Sequence, residues 1–360
     1  MSEKKPKILY IVRRLSGGIF TYLVELSNRL VDLYDITIGY ATNEETPENI
    51  RSHFDKRISL VPIVSFQGKS NLINDASART ELRALAETEK PDIIHFHGYE
   101  AGRLGRKTFA DADIPMFYTP HGYLFLSEDH NVLSRSLFRM NEQSCARTNC
   151  TTVAVSKGEY AETLAFTDNA VYINNGVNLV EIDHSIKDEV NTEHPLTVFT
   201  TGLINPQKNP DLFNEIADAM PDVRFVWIGD GEMRYKLKSR NIEVTGWLER
   251  EDALKRAYQA DVFILTSLWE GLPLSLLEAM YLKKLCIVNN VIGSRDVIHN
   301  GENGYLCNSA ASFVNAITHV NDPQTREIVE NAQQDVIRYY NLDKMAISYI
   351  RLYQKALDQK

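Results

Sequence analysis

The stretch Asp261 to Met280, DVFILTSLWEGLPLSLLEAM, passes from a continuous apolar run through a Trp-Glu-Gly loop into a second apolar segment. Val262 to Ser267 reads as a strand covered on both faces, as strands of a parallel sheet are. Pro273 cannot stand inside a helix but suits its first turn, which places Glu270 in the loop and Glu278 within the helix. The same strand–loop–helix unit recurs outward from this point. LTVFTTG, DLFNEIADAM, VRFVWIG and IEVTGW lead up to it, and LCIVNN follows. An earlier series runs KILYIV, FTYLVELSNRLV, DITIGYA, DIIHFH, MFYTP, TTVAVS and AVYIN. The alternation predicts an α/β protein of parallel sheets with helices on both faces. The polar stretch at 180–194 reads as a linker. Two Rossmann-like doubly wound domains are therefore expected, over 1–179 and 195–341, facing a central cleft. A terminal helix at 342–360 is expected to pack back on the first domain. A chain of 360 residues also exceeds what one core usually organises.

Hydrophobic residues make up 44% and charged residues 24%, as in an ordinary globular protein. The net charge of −9 argues against a nucleic-acid binder, whose affinity would come from neutralised phosphates. Residues 1–180 hold 20 Lys and Arg against 22 Asp and Glu, the remainder 19 against 26, so the first half approaches an anionic membrane more easily. The opening MSEKKPKILYIV reads as a first strand, because Arg13 and Arg14 interrupt its apolar run and no cleavage site follows. No segment approaches the roughly 20 apolar residues of a membrane span. Cys145, Cys150, Cys286 and Cys307 lack a CxxC or zinc-like spacing and read as reduced, buried thiols. A cytoplasmic protein is expected, with peripheral contact at the inner face of the membrane left open.

Open α/β sheets bind ligands at the carboxyl ends of their strands, so the chemistry is sought there. Between Glu270 and Glu278, Gly271 lets backbone come close to a ligand, Leu272 beside it is a further candidate donor contact, and the N–H groups of Leu274 and Ser275 open a helix where phosphate is attracted. A phosphate flanked by two hydroxyl-binding carboxylates is what a nucleotide sugar requires. The plainer reading makes both acids solvated. Lys208 lies in TGLINPQKNPDLF just before a helix that Asn209, Pro210 and Asp211 should start. Its ammonium can stabilise a leaving diphosphate, replacing a metal. Ser16-Gly17-Gly18 opens a helix directly after KILYIV, and His97-Gly98 and His121-Gly122 each end a strand.

These segments resemble the retaining glycosyltransferases of family 4, which have the GT-B fold. WEGLPLSLLEAM is similar to the E-x7-E signature, and SGGIFTYLVELSNRL, DIIHFHG, TPHG, VAVS, INNGVN, NPQKN, IGDGEMR, VTGW and NGENGYL fall in family order. The resemblance implies an acceptor domain followed by a donor domain, and metal-independent transfer from a nucleoside-diphosphate sugar, a UDP-sugar by preference. The acceptor would be a hydroxyl of a glycan, a lipid-linked acceptor or a small molecule, in surface polysaccharide or glycoconjugate biosynthesis. Glu278 would bind the ribose and Glu270 the donor sugar. Gly17, Gly18 and Gly202 would face the diphosphate, and His121 would sit beside the sugar. Backbone at Val244, Gly246 and Trp247 would read the base. No separate cofactor is implied. The sequence departs from the family at Leu203, where an Arg usually follows the Gly, and Arg295 in GSRDVI is the candidate replacement.

The remaining motifs divide between packing and surface. His95 reads as a core histidine and not as half of a metal pair. Ser156 to Glu159 reads as a capping box, Asn175-Gly176 as a tight turn, and Asn303-Gly304 in NGENGYL as another turn. Asp111-Ala-Asp113 follows a helical stretch and reads as a solvated loop. The stretch Tyr123 to Arg147 reads either as a helix with Leu133, Leu137 and Met140 inward or as a surface for acceptor or lipid. His97, Tyr123 and Arg139 are the candidate acceptor contacts. A GT-B epimerase or phosphorylase and a non-catalytic nucleotide-sugar binder are the alternatives; a dehydrogenase is disfavoured for want of a complete GxGxxG.

Overall fold

The computed structural model describes residues 4–42, 46–47, 49–67, 72–127, 130–189 and 194–359. The chain divides into two compact units. One comprises Met1–Leu126, His130–Asn174 and Lys344–Lys360, the other Ser127–Asp129 and Asn175–Asp343.

The first unit is built on seven parallel strands: β1 (Lys7–Arg14), β2 (Asp35–Ala41), β3 (Ser59–Pro62), β4 (Ile93–His97), β5 (Met116–Thr119), β6 (Cys150–Ala154) and β7 (Ala170–Tyr172). Their order is β3-β2-β1-β4-β5-β6-β7. Strand β1 is central because Ile8, Leu9, Tyr10, Ile11 and Val12 are all buried, which requires cover on both faces. The edge strand β3, whose residues are half-buried or exposed, has no continuous apolar run and left no sequence signal. The terminal helix Leu342–Asp358 buries Tyr349 and Tyr353 fully. The Tyr353 hydroxyl reaches Tyr10 Oη at 3.3 Å and His95 Nδ1 at 2.7 Å. His95 Nε2 meets Thr119 Oγ1 at 2.8 Å, so both its ring nitrogens are satisfied inside the core.

The second unit has six parallel strands: β8 (Thr197–Thr201), β9 (Arg224–Ile228), β10 (Ile242–Val244), β11 (Val262–Leu265), β12 (Leu285–Asn289) and β13 (Tyr305–Cys307). They run β10-β9-β8-β11-β12-β13 over a core that includes Phe213, Phe225, Trp227, Ile264 and Leu285. Strand β13 begins directly after Asn303-Gly304, the pair expected to form a turn. Both sheets reverse their strand order once, between β1 and β4 and between β8 and β11, and the carboxyl ends flanking such a reversal form a natural ligand crevice.

Three expectations are corrected. The stretch read as a linker carries a helix, Leu179–Ile186, because Asn178 caps it by accepting from the Glu181 N–H; residues 190–193 of that stretch lie outside the described residues. Helix Val132–Cys145 turns Val132, Leu133, Leu137 and Met140 outward, at 78%, 72%, 51% and 63% exposure. Its inward face is instead Glu142 and Cys145, because Glu142 is neutralised by Arg106 at 2.7 Å and accepts from the Tyr118 hydroxyl at 2.9 Å. Residues 128 and 129, just before this helix, lie outside the described residues. Tyr123 is a core residue, 1% exposed, its hydroxyl 2.8 Å from Thr163 Oγ1, so it presents nothing to an acceptor.

Candidate active site

At the carboxyl end of β8, Gly202 adopts φ +140, a conformation that L side chains rarely take. A Cβ on the facing Gly229 would lie 2.2 Å from the Gly202 carbonyl oxygen, so the ends of β8 and β9 touch backbone to backbone. The chain then forms a short 3-10 turn, Pro206–Lys208, and Asn209 enters the left-handed region at φ +50 to cap helix Pro210–Asp218. Lys208 is held at this corner: its carbonyl accepts from Thr266 Oγ1 at 2.6 Å, and its Cε lies 3.4 Å from where a Cβ on Gly202 would be.

The loop after β11 meets that corner. Lys208 Nζ donates to Glu270 Oε1 at 2.6 Å, with side chains only 16% and 7% exposed. Gln207 braces the pair, its Nε2 donating to the Trp269 carbonyl at 3.0 Å while its own carbonyl accepts from Leu268 N–H at 2.8 Å. The structure thus unites Lys208 and Glu270, two of the four charged residues expected at the donor site. Arg295 is exposed, on the loop after β12. That loop abuts the same corner, since a Cβ on Gly293 would lie 2.5 Å from the Gly271 carbonyl oxygen.

Helix Leu274–Tyr281 starts one residue later than expected, with Pro273 as its N-cap. Proline offers no side-chain acceptor, and the first turn holds no acidic residue, so the N–H groups of Leu274 and Ser275 remain open to an anion. Helix Gly17–Leu30, directly after β1, has the same character: no side-chain cap and no first-turn acid. A Cβ at Gly17 or Gly18 would meet nothing within 4 Å, so this backbone faces open space. Asn131, Ser156, Asn178, Asn209 and Ser309 are side-chain caps of other helices, and helices Tyr99–Thr108, Arg250–Tyr258 and Thr325–Tyr339, which lack such a cap, carry acids in their first turns.

Glu278 sits on the same helix but pairs elsewhere: Arg250 Nη1 donates to its Oε1 at 2.8 Å and Arg250 Nε to Glu181 Oε2 at 2.7 Å. Leu272 is buried, and its carbonyl accepts from Asn175 Nδ2 at 2.7 Å. At the end of β10, half-buried Val244 leads to Gly246, at φ +76, and to Trp247, which is 62% exposed. Residues 229 and 246 form a bridge, joining the loops after β9 and β10.

In the first unit, His97 Nδ1 and His121 Nε2 are 3.1 Å apart, and the rings of His95, His97 and His121 stack in sequence at 4.2 and 5.3 Å between centroids. Burial pushes the His121 imidazole down to about 3 and His97 well below its ordinary value, so both are neutral near pH 7. His97 is 1% exposed, and so lies behind His121 rather than at a surface where an acceptor could touch it. His121 itself is a left-handed residue at φ +58. Arg139 is 46% exposed, its guanidinium 5.3 Å above the Phe125 ring and 3.9 Å from Glu162 Oε2.

Four residues of this architecture escaped sequence reasoning: Gln207, Arg250, Asn175 and Glu159. Asn175 was read as a turn residue and Glu159 as half of a capping box. The Ser156 side chain does accept from the Glu159 N–H, but the Glu159 carboxylate goes to the N–H groups of Gly122 and Val155, each at 2.7 Å.

Two parallel sheets, each with a ligand crevice at its order reversal and an uncapped helix N-terminus beside it, define the GT-B class of glycosyltransferase. The model of glycosyl transferases group 1 matches residues 181–335, and that of glycosyltransferase family 4 matches residues 16–181. The UDP-Gal:alpha-D-GlcNAc-diphosphoundecaprenol alpha-1,3-galactosyltransferase of Escherichia coli is 31% identical over 306 residues, covering 76% of this chain and 78% of its own. Among solved structures, the sucrose-phosphate synthase of Thermosynechococcus elongatus superposes with a TM-score of 0.84 at 16% identity, over 99% of this chain and 100% of that one. Anabaena HepE, solved in complex with UDP-glucose, gives 0.78 at 18% identity over 98% and 100%. This chain belongs to glycosyltransferase family 4.

Proposed function

We propose that this glycosyltransferase moves a sugar from a UDP-sugar to a hydroxyl of a lipid-linked glycan, with retention of configuration and without a metal ion. The Lys208–Glu270 pair carries the reading. Its ammonium lies beside an uncapped helix N-terminus, and together they supply the positive field that a departing diphosphate needs. Glu270 accepts from a hydroxyl of the transferred sugar, and Glu278, steadied by Arg250, accepts from the ribose. Arg295 adds the charge that Leu203 lacks. The neutral His121 imidazole hydrogen-bonds the sugar; with a pKa near 3 it is a weak base, so the leaving diphosphate takes the acceptor proton.

The Escherichia coli relative is named for a diphosphoundecaprenol acceptor, which favours a lipid-linked substrate here. Among the described residues no helix is long and apolar enough to cross a membrane. The outward apolar stripe of Val132–Cys145, with Arg139 and Arg147 exposed beside it, provides peripheral contact with an anionic bilayer. Sedimentation with vesicles containing phosphatidylglycerol tests that contact: binding should fall when Leu133, Leu137 and Met140 are changed to Ser, and equal binding would rule it out. Thermal shift and slow donor hydrolysis, screened over UDP-, GDP- and dTDP-sugars, test the donor. Stabilisation and turnover by a UDP-sugar alone are expected, and a preference for another base would refute it.

A further inference from the structure

The two residues that follow His121 are both tied to one helix, Lys157–Leu164. Glu159, 0% exposed, receives the Gly122 N–H on Oε1 at 2.7 Å and the Val155 N–H on Oε2 at 2.7 Å. The Tyr123 hydroxyl lies 2.8 Å from Thr163 Oγ1, which donates to the Glu159 carbonyl at 2.8 Å. Directly before these two ties His121 holds a left-handed backbone, which costs a residue with a side chain about 1 kcal/mol or more and persists only where its surroundings impose it. A capping box needs the N3 carboxylate to return to the N-cap backbone; this carboxylate instead spans 37 positions to fix a turn. Two backbone N–H groups donating to one buried carboxyl tie the turn after β5 and the end of β6 to a single side chain.

We infer that Glu159 is a positioning residue for the transfer reaction, clamping the turn after β5 so that His121 is held in its working orientation. The inference rests on the reading of His121 given above. Glu159 touches neither donor nor acceptor. Its removal should lower kcat while leaving donor KM nearly intact, because the proposed base and ribose contacts belong to the other unit. Glu159→Gln is the informative variant, since a carboxamide has one acceptor oxygen for two N–H donors and its amino group opposes the second.

Steady-state kinetics and thermal unfolding of wild type, Glu159→Gln, His121→Ala and the double variant test this. With cooperative unfolding retained, Glu159→Gln should lose about 100-fold in kcat, the scale of a misplacement near 1 Å, with donor KM within about threefold. In the His121→Ala background the same change should cost less than about threefold more, since both act through one group. Full activity of His121→Ala would sink the reading of His121 itself. Loss of activity in His121→Ala beside an unimpaired Glu159→Gln, or fully multiplicative losses in the double variant, would overturn the clamp alone. Should Glu159→Gln not fold, Tyr123→Phe removes only the second tie; reduced kcat at constant KM supports the clamp, and unchanged kcat overturns it.

Discussion

Replacing Lys208 with Met removes the ammonium but keeps the stem that lies over Gly202. Glu270, with its side chain 7% exposed, would then keep only Gln207 Nε2, at 3.5 Å, in place of a cation at 2.6 Å. Breaking a buried ion pair by deleting one partner costs about 3 kcal/mol or more, because the remaining charge is stranded. For a unit of this size each kcal/mol lowers Tm by about 2–4 °C, so a fall of about 6–12 °C is expected by calorimetry. The catalytic loss has a separate origin. A preorganised charge aimed at the developing diphosphate is worth about 100-fold in kcat. Combining Lys208→Met with Glu270→Gln separates the two, since neutralising the orphaned acid should restore most of the Tm and none of the rate. An unchanged Tm in the single variant, or recovery of kcat in the double, would refute this reasoning.

Arg250 bridges Glu181 and Glu278, and Arg250→Gln should raise donor KM about tenfold with a smaller change in kcat, since a contact made equally to bound donor and transition state affects binding alone; a pure kcat defect would contradict this. Acid should destabilise the protein through its buried histidines. His95 and His97 are held well below 6.5 by burial, so below about that pH the unfolded chain binds protons that the folded chain refuses. Stability therefore rises with pH up to about 6.5 and is lost beneath it; with His121, lowered to about 3, as the third such group, the limiting slope is about 4 kcal/mol per pH unit. A Tm constant between pH 7 and 5 would show that these imidazoles titrate normally in the folded chain.

What the sequence made legible was local. Strands β2 and β11 could be read from their continuous apolar runs, and the helix at Pro210 from Asn209 and the proline beside it, because neighbouring residues decide those features. The Lys208 corner was legible for the same reason. The face of Val132–Cys145 was not, since the 3.6-residue spacing of Leu133, Leu137 and Met140 describes a core stripe equally well. What decides the face is Arg106, 36 positions away, which lets Glu142 turn inward. Glu159 was misread by the same mechanism: its partner at Gly122 is distant in sequence, while the Ser156 cap beside it is real and sufficient to explain the pattern. Nor does the spacing of Glu270 and Glu278 reveal that one pairs with Lys208 and the other with Arg250. Partners of buried charges are set by packing, which a linear pattern does not encode.

Hydrogen exchange of the backbone amides with and without saturating UDP is the most direct test of where the donor diphosphate lodges. Slowed exchange concentrated at 202–208, 244–247 and 270–278 is predicted. Saturation that leaves those three segments unprotected while slowing exchange elsewhere would contradict the account.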